Sequence, residues 1–253
     1  MFRRPLVFCV SIIATSSAHA IVDVHDQYYA NSEARAFSVF GFDFNGATGT
    51  KEVKDIALVN HTIVRREVDQ WMFVGSLNFA ETNNSTSEDS SFAHLRYTRK
   101  IDGPHGIEAI VQYSQDQFEL LDQRLVYGVG YRFEWQPGTD DERGLLGLGV
   151  IREHERYVSV RKEQRLWRAN LYLTIAQPVS FARDASVSLS AYAQPAIDDL
   201  NDIRAIAVMS FTARLSEQLA IKFSIDYKYD SEPVESIENV NMNFSSGLTY
   251  TLK

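Results

Sequence analysis

The sequence predicts an all-β fold, a twelve-stranded antiparallel transmembrane β-barrel of the bacterial outer membrane. Three observations indicate it: strands with one wholly apolar face, an export signal, and an even number of strand-like segments. The clearest strand is DQRLVYGVGYRFEW at 122–135, where Leu125, Tyr127 and Val129 begin an apolar series on alternate positions. Successive strand side chains point to opposite faces, so the other face is left to charged residues and glycine. The strand is longer than most soluble strands and satisfies the roughly 9–11 residues of a tilted membrane strand.

Residues 1–20 are predicted to be a cleaved signal peptide. A basic Arg3-Arg4 pair precedes an apolar segment at 6–14 and the small-x-small motif Ala18-His19-Ala20. The apolar segment is too short to span a membrane as a helix. The single cysteine, Cys9, lies inside it. The exported chain is therefore expected to contain no disulfide, although it leaves the reducing cytoplasm.

Charge and hydropathy limit the partners of the chain. The formal net charge of −8 becomes −10 when Arg3 and Arg4 are removed with the signal, which argues against binding to nucleic acid. No apolar run near eighteen residues follows residue 20, so no transmembrane helix is expected. The expected location is the bacterial outer membrane. The expected partners are its lipids and, during biogenesis, the barrel-assembly machinery, with the chain a monomer that needs no cofactor.

The rest of the chain divides into a lead-in and the barrel. Residues 21–34 show no sustained period and are interpreted as a periplasmic lead-in, whereas 35–253 form the predicted barrel. The eleventh segment is as clear as the sixth, with Leu219, Ile221 and Phe223 on its apolar face, and the second and ninth segments are the weakest. The twelve segments are at 35–45, 54–66, 70–80, 91–100, 106–117, 122–136, 143–153, 164–176, 184–195, 202–214, 217–229 and 239–252.

The gaps between segments alternate in length. Outer-membrane barrels have short periplasmic turns and longer outer loops, so this parity places both ends of the barrel domain on the periplasmic side. The short gaps are 67–69, 101–105, 137–142, 177–183 and 215–216. The long gaps, which include the polar sequence ETNNSTSEDS, are 46–53, 81–90, 118–121, 154–163, 196–201 and 230–238.

Large aromatic residues lie near the ends of the predicted strands. Tyrosine and tryptophan favour the depth of the lipid head groups, because the ring is apolar while its N–H or O–H stays hydrated. Core aromatics of a soluble barrel would explain the alternation equally well, but not this preference for strand ends. The predicted membrane girdle consists of Trp71, Trp135, Trp167, Tyr227, Tyr229 and Tyr250.

Four successive motifs resemble a known family. They are SFAHLRYTR at 91–99, IEAIVQY at 107–113, LVYGVGY at 125–131 and LLGLGV at 145–150. Their order and spacing are similar to those of the uncharacterised bacterial family of salt-induced outer-membrane proteins, a domain of unknown function. The resemblance covers the chain from about Phe37 onward and is strongest over 91–150. It implies an outer-membrane barrel and supplies neither a reaction nor a ligand. Barrels of this kind commonly end on an aromatic residue, whereas this chain ends on Lys253, with Tyr250 and Leu252 as the expected substitutes.

The inward face is predicted to carry more basic than acidic residues. Two interpretations remain open: the charges pair across the lumen and close it, or their excess arginines form a narrow channel for small anionic solutes or acidic sugars. A barrel of twelve strands is wider than the eight-stranded kind that side chains fill. The predicted lumen residues are Arg96, Glu108, Arg124, Arg132, Glu134, Arg152, Arg168, Lys222, Asp226 and Lys228.

An outer-membrane hydrolase is the third alternative. Barrel lipid hydrolases would need a serine beside an activating histidine on one face of the wall. His61 and Thr62 are adjacent and therefore face opposite sides, and His94 is expected to make an ordinary lumen hydrogen bond. The Glu153-His154-Glu155 sequence cannot place all three side chains on one metal ion if it is extended. We therefore expect a non-enzymatic protein without a metal site or catalytic residues, related to envelope stress through its family resemblance.

Overall fold

The computed structural model describes residues 35–47, 53–83, 85–117, 119–135, 143–158, 163–179, 184–216, 218–234 and 237–252. The predicted signal peptide and lead-in, residues 1–34, lie outside them, as does Lys253. The strands in the described part are β1 (Ala36–Ala47), β2 (Val53–Arg65), β3 (Asp69–Thr82), β4 (Ser85–Asp102), β5 (His105–Asp116), β6 (Leu121–Trp135), β7 (Arg143–Tyr157), β8 (Glu163–Pro178), β9 (Ala185–Pro195), β10 (Ile203–Arg214), β11 (Leu219–Asp230) and β12 (Val240–Leu252).

Each strand pairs antiparallel with its neighbours in sequence, and β1 also pairs with β12, so that the sheet closes into a barrel. The predicted all-β, antiparallel class is confirmed. We call the end where β1 begins and β12 ends the proximal end, and the opposite end the distal end. No helix in the described segments is long and apolar enough to cross a membrane.

The outer face of the barrel is apolar around its whole circumference. Alternation directs every second side chain outward, and large apolar groups occupy these positions. Soluble monomers rarely expose a contiguous apolar surface of this extent. Every described strand contributes at least one exposed side chain to this face, including Phe42, Leu58, Phe73, Leu95, Val111, Val129, Leu148, Leu171, Leu189, Met209, Phe223 and Phe244.

Two predicted outer loops are largely strand. Most of the predicted loop at 81–90 is strand, since β3 continues to Thr82 and β4 begins at Ser85. Asn83 adopts a positive φ of 49°, which asparagine tolerates better than most residues. The predicted loop at 154–163 is likewise shortened, because β7 continues to Tyr157. The point in the sequence where apolar alternation stops shows where the surroundings of the strand change, and strand pairing continues beyond it. Serine and threonine are compatible with a strand, so they do not end it.

The interior of the barrel combines apolar and charged layers. One apolar cluster lies inside the wall formed by β1–β4 and consists of Phe37, Val39, Ile63, Met72, Val74 and Phe92. A second lies inside β7–β10 and consists of Leu145, Tyr172, Tyr192, Ile206 and Val208. A third, smaller cluster lies inside β5–β7 and consists of Ile110, Val126 and Ile151. Buried charged residues also face the interior, and they form the candidate site.

Candidate functional site

The structure places nine of the ten predicted lumen residues on the inner face of the barrel. Buried among them are Arg96, Glu108, Arg124, Arg132, Arg168 and Asp226, and partly buried are Glu134, Lys222 and Lys228. The inner face follows from strand parity: Arg124 and Arg132 lie opposite Glu155 and Gly147 of β7, which also face inward.

Arg152 was predicted to face the lumen, and this prediction is wrong. Its guanidinium lies 5.3 Å from the centre of the Trp167 ring, on the outer face of the wall. Tyr127, also exposed, is its partner on β6. The inward positions of β7 are Gly147, Gly149 and the odd-numbered residues that follow, so the position of Arg152 follows from unbroken alternation.

A group of buried charges fills the distal half of the lumen, with Glu153 at its centre. Glu153 Oε1 accepts hydrogen bonds from Arg124 Nε at 2.5 Å and Arg204 Nη1 at 2.6 Å. Its Oε2 accepts one from Arg168 Nε at 2.5 Å. Arg124 and Arg168 come from β6 and β8, which flank the β7 strand of Glu153, and Arg204 comes from β10, so a single carboxylate joins four strands of the wall. We call Glu153, its three arginines, Glu155, Asp202 and Asp230 the distal cluster.

Glu155 and Asp230 complete the pairing of the distal arginines. Glu155 accepts a hydrogen bond from Arg204 Nη2 at 3.0 Å and one from the hydroxyl of Tyr157 at 2.9 Å. Arg204 Nε donates to Asp230 Oδ2 at 2.9 Å. Buried charges are stable only when each is paired and its hydrogen-bonding capacity is used, and the arrangement around Arg204 meets that requirement.

Arg168 attaches the connection at 196–202 to the wall. Its Nη1 donates to the backbone carbonyls of Gln194 at 3.1 Å and Asp202 at 3.2 Å. Its Nη2 donates to Asp202 Oδ2 at 3.1 Å. The distal cluster therefore fixes the path of a connection as well as the side chains of the strands.

A second, smaller group of charges lies in the proximal half. Glu108 Oε2 accepts a hydrogen bond from the Tyr172 hydroxyl at 2.8 Å and forms an ion pair with Arg96 Nη1 at 3.5 Å. The Arg96 guanidinium also lies 5.3 Å from the centre of the Tyr172 ring. Arg132 Nη2 lies 2.5 Å from Glu134 Oε1. We call these five residues the proximal cluster.

Gly147 makes room for the aromatic ring of the proximal cluster. A Cβ atom built at Gly147 would overlap the Tyr172 ring, whereas one built at Gly247 on β12 meets no atom within 4 Å. Both glycines face the lumen, as their partners Arg132 and Lys222 do. The bare backbone at Gly147 is therefore a packing requirement of Tyr172.

Replacing Gly147 with alanine is expected to lower the free energy of unfolding by about 1–3 kcal/mol, because the added methyl group forces Tyr172 away from Glu108. Gly247→Ala is the matched control and should be neutral or slightly stabilising, since alanine restricts the unfolded chain more than glycine does. Urea titrations of the two variants, followed by tryptophan fluorescence, compare them directly. Equal stabilities would contradict the packing role of Gly147.

The predicted excess of basic residues in the lumen is wrong. Arg152 lies outside, and Glu153, Glu155, Asp202 and Asp230 add acidic groups that the sequence interpretation left out. Glu153 and Glu155 could have been found by continuing the alternation from Gly149. Arg204 had no such signal, because apolar residues occupy both faces of β10. The described lumen contains acidic and basic groups in close balance rather than a ring of arginines.

A short apolar cover lies over the distal cluster. Val234, from the connection between β11 and β12, is buried against Leu121 and Tyr157, and Ile237 packs beside them. Below this cover is a cavity of about 80 Å³ lined in part by Arg124, Arg204, Lys228 and Asn241. At the distal mouth of the lumen, paired charges thus lie below the cavity and apolar packing lies above it.

Three of the described histidines, His94, His105 and His154, pair with groups other than serine. His94 is buried, lies 3.3 Å from Gln112 Oε1 and stacks on Phe92. His105 hydrogen-bonds with the Tyr131 hydroxyl. His154 faces outward and pairs with Glu163, away from Glu153 and Glu155. Within the described part of the chain, no group of three or more histidine, cysteine, aspartate or glutamate side chains is arranged to hold a metal ion.

The aromatic residues of the predicted girdle occupy the outer face near strand ends. Trp71 is exposed near the proximal end of β3, and Trp135 ends β6 at the same level, packed against Phe133. Trp167 is exposed near the distal end of β8. Tyr227 and Tyr229 lie on the outer face near the distal end of β11. The side chain of Tyr250 lies outside the described ones.

An antiparallel β-barrel with an apolar outer face and a charged interior defines the class of this protein. The chain belongs to the family described as protein of unknown function, DUF481, whose model matches residues 40–252. The family resemblance of the four strand motifs is confirmed by this match. No curated protein matches the chain.

Several solved structures are similar to the chain at low sequence identity. The NanC porin, in a rhombohedral crystal form, has a TM-score of 0.49 and 10% identity, and the match covers 85% of this chain and 98% of that one. The translocator domain of the autotransporter NalP from Neisseria meningitidis has a TM-score of 0.46, 11% identity and coverages of 85% and 87%. The β domain of the Bordetella autotransporter BrkA has a TM-score of 0.37, 11% identity and coverages of 85% and 97%.

Proposed function

We propose that the protein is a monomeric, non-enzymatic β-barrel of the bacterial outer membrane whose lumen is closed by paired charges. The observation that supports the membrane location is the outer face, on which every described strand exposes large apolar side chains. A lipid-facing apolar band combined with a polar interior is characteristic of outer-membrane barrels. The family resemblance adds a relation to envelope stress, and the lipids of the membrane are its proposed surroundings.

The closed lumen is supported by the distances within the distal cluster. Glu153, on β7, contacts Arg204 of β10, three strands away, at 2.6 Å, in addition to the arginines of the flanking strands β6 and β8 at 2.5 Å. Lys228 on β11 also reaches Glu119 in the connection before β6, at 3.3 Å. The Glu153–Arg204 and Lys228–Glu119 links join parts of the wall that are not neighbours, so they extend into the lumen. A hydrated solute would have to separate several buried ion pairs to pass, and each lost pair would expose uncompensated charge.

A narrow channel for small anionic solutes or acidic sugars is the alternative function. It depends on an excess of lumen arginines, because rings of Arg or Lys attract anions. The pairing of Arg124 with Glu153 at 2.5 Å and of Arg132 with Glu134 at 2.5 Å removes that excess. The closed barrel therefore has the stronger support.

Planar-bilayer recordings test the closed lumen. The refolded protein is expected to give no single-channel conductance steps, whereas its folded state in the same sample is verified by a heat-dependent shift in detergent gel mobility. Steady anion-selective conductance that disappears in Arg124→Glu and Arg132→Glu variants would overturn the closed lumen and support the channel. Hydrolysis of phospholipid or peptide by the pure protein would contradict the non-enzymatic part of the proposal.

A further inference from the structure

The contact that closes the barrel is short. β1 and β12 pair through Ser38 with Leu252, Val39 with Thr251 and Phe40 with Tyr250, all near the proximal end. By comparison, β1 pairs with β2 through all twelve of its residues. Beyond Phe40, residues 41–47 of β1 pair with β2, and residues 240–249 of β12 pair with β11. In the described backbone, β1 and β12 are not paired with each other over this distal half.

An opening between two strands of a membrane barrel is energetically unfavourable when it is empty. Half of the backbone N–H and C=O groups of each strand point toward the neighbouring strand, and in hydrocarbon each unsatisfied group costs several kcal/mol. Barrels normally close completely for this reason. The distal half of the β1–β12 seam is therefore a place that a polar or amphiphilic molecule can enter more readily than the fully paired β1–β2 part of the wall.

The two sides of the opening differ in chemistry. On the outer face the rim is apolar, with Phe42 66% exposed and Phe244 61% exposed. On the inner face two positions of the rim, Gly41 and Gly247, have no side chain: a Cβ at Gly247 meets nothing within 4 Å, and one at Gly41 meets only the Val59 Cβ at 3.6 Å. The opening is thus flanked by aromatic groups toward the membrane and, at Gly41 and Gly247, by bare backbone toward the lumen.

Amide groups continue this polar inner side into the lumen. The Nδ2 atom of Asn243 is buried and donates no hydrogen bond within the described part of the chain. Asn241, the next inward residue toward the distal end, lines the cavity of about 80 Å³ below the apolar cover. Arg204 and Lys228 line the same cavity. Asn243 and Asn241 therefore place two amide groups on the inner side of β12, and the second of them lines the cavity that Arg204 and Lys228 share.

We propose that the distal half of the β1–β12 seam is a lateral binding site for a single-chain amphiphile. Its acyl chain lies between the two strands, against Phe42 and Phe244, and its polar head group lies at Asn241 and Asn243. The cavity volume suits a small head group and is too small for an acyl chain, which accordingly stays at the membrane side. The proposal goes beyond a closed lumen and shares with the proposed function only the membrane location.

Disulfide trapping tests the site, because the sequence after residue 20 contains no cysteine. Extending the observed register places Phe42 opposite Leu248, so Phe42→Cys with Leu248→Cys forms a bond only when the seam closes. Ser38→Cys with Leu252→Cys lies in the paired part and is the matched control. In membranes, the control pair is expected to oxidise at least tenfold faster. Equal oxidation rates would overturn the opening.

Photolabelling then identifies the occupant. A diazirine-labelled fatty acid and a diazirine-labelled lysophospholipid, in separate samples, are expected to label peptides of β1 and β12, and the better probe reveals the source of the acyl chain. Oxidised Phe42→Cys/Leu248→Cys should lose at least nine-tenths of the label and regain it on reduction, whereas the control pair should not. Asn243→Leu should lower labelling, and Asn201→Leu, in the exposed β9–β10 connection, should not.

Labelling spread evenly around the barrel, or unchanged by Asn243→Leu, would overturn the lateral site. If the proposed membrane location were wrong, the result would be different, because a chain outside the membrane would show neither heat-dependent gel mobility nor retention in washed vesicles. The two proposals can therefore fail separately.

Discussion

Replacing Glu153 with glutamine is expected to lower the free energy of unfolding by about 3–5 kcal/mol, the usual effect of removing one partner from a buried ion pair. Glutamine keeps the shape of the side chain but removes the charge that Arg124, Arg168 and Arg204 share. All of these contacts lie at 2.5 or 2.6 Å in a buried site. Three guanidinium groups would then repel one another with Glu155, Asp202 and Asp230 as their remaining acidic partners.

The measurement is a urea titration of the refolded protein in lipid vesicles, followed by tryptophan fluorescence. Glu163→Gln is the matched control, because Glu163 pairs with Arg165 and His154 at the exposed start of β8. Exposed ion pairs are screened by water and salt, so this control should show no measurable change. A Glu153→Gln variant as stable as the wild type would show that the distal cluster does not hold the lumen together.

Val129→Arg is expected to lower the free energy of unfolding by about 2–4 kcal/mol, because a charged side chain at the middle of the membrane must leave water. Val129 lies near the centre of β6 and is 67% exposed on the outer face. Its neighbours across the ladder are Ala109 and Val150. In a soluble barrel the same exposed position would accept arginine with little effect, so the substitution reports the surroundings of the wall.

Val158→Arg is the control for this experiment. Val158 is 63% exposed, almost as much as Val129, but it follows the distal end of β7. The effect of a charge on the lipid face falls to about 0–1 kcal/mol near the interface. The same titration in vesicles should therefore separate the two variants. If both were neutral, the apolar outer face would not be a lipid-facing surface.

The strand pattern of this chain could be predicted well where one face is wholly apolar. Residues 122–136 were predicted as a strand and β6 is Leu121–Trp135, because alternation and burial change together at its ends. The segment at 81–90 could not be predicted in the same way. Beyond the apolar band both faces of a strand meet polar surroundings, so pairing continues through Thr82 and Ser85 without any hydropathy signal.

The candidate site could be predicted only in part. Alternation along β6 places the Arg124 and Arg132 side chains inside the barrel. On β7 the alternation had to be continued from Gly149 to place Glu153 inside and Arg152 outside. Which arginines share that carboxylate depends on how far apart strands lie around the barrel, and local periodicity contains no such information. The number of residue pairs between β1 and β12 could not be predicted from the sequence for the same reason, since it depends on the register between the first and last strands.

The composition of the distal cluster has a consequence for the order of assembly. Arg204 and Glu153 are 51 residues apart, so the β6–β7 hairpin would bring Glu153 and Glu155 across the bilayer with Arg124 as the one arginine of that hairpin in the distal cluster, since Arg132 belongs to the proximal cluster. Contacts between distant segments form late, after the intervening chain has been organised. Stable insertion of the central hairpins is therefore expected to wait for β8 and β10, which makes assembly concerted rather than stepwise from the amino terminus.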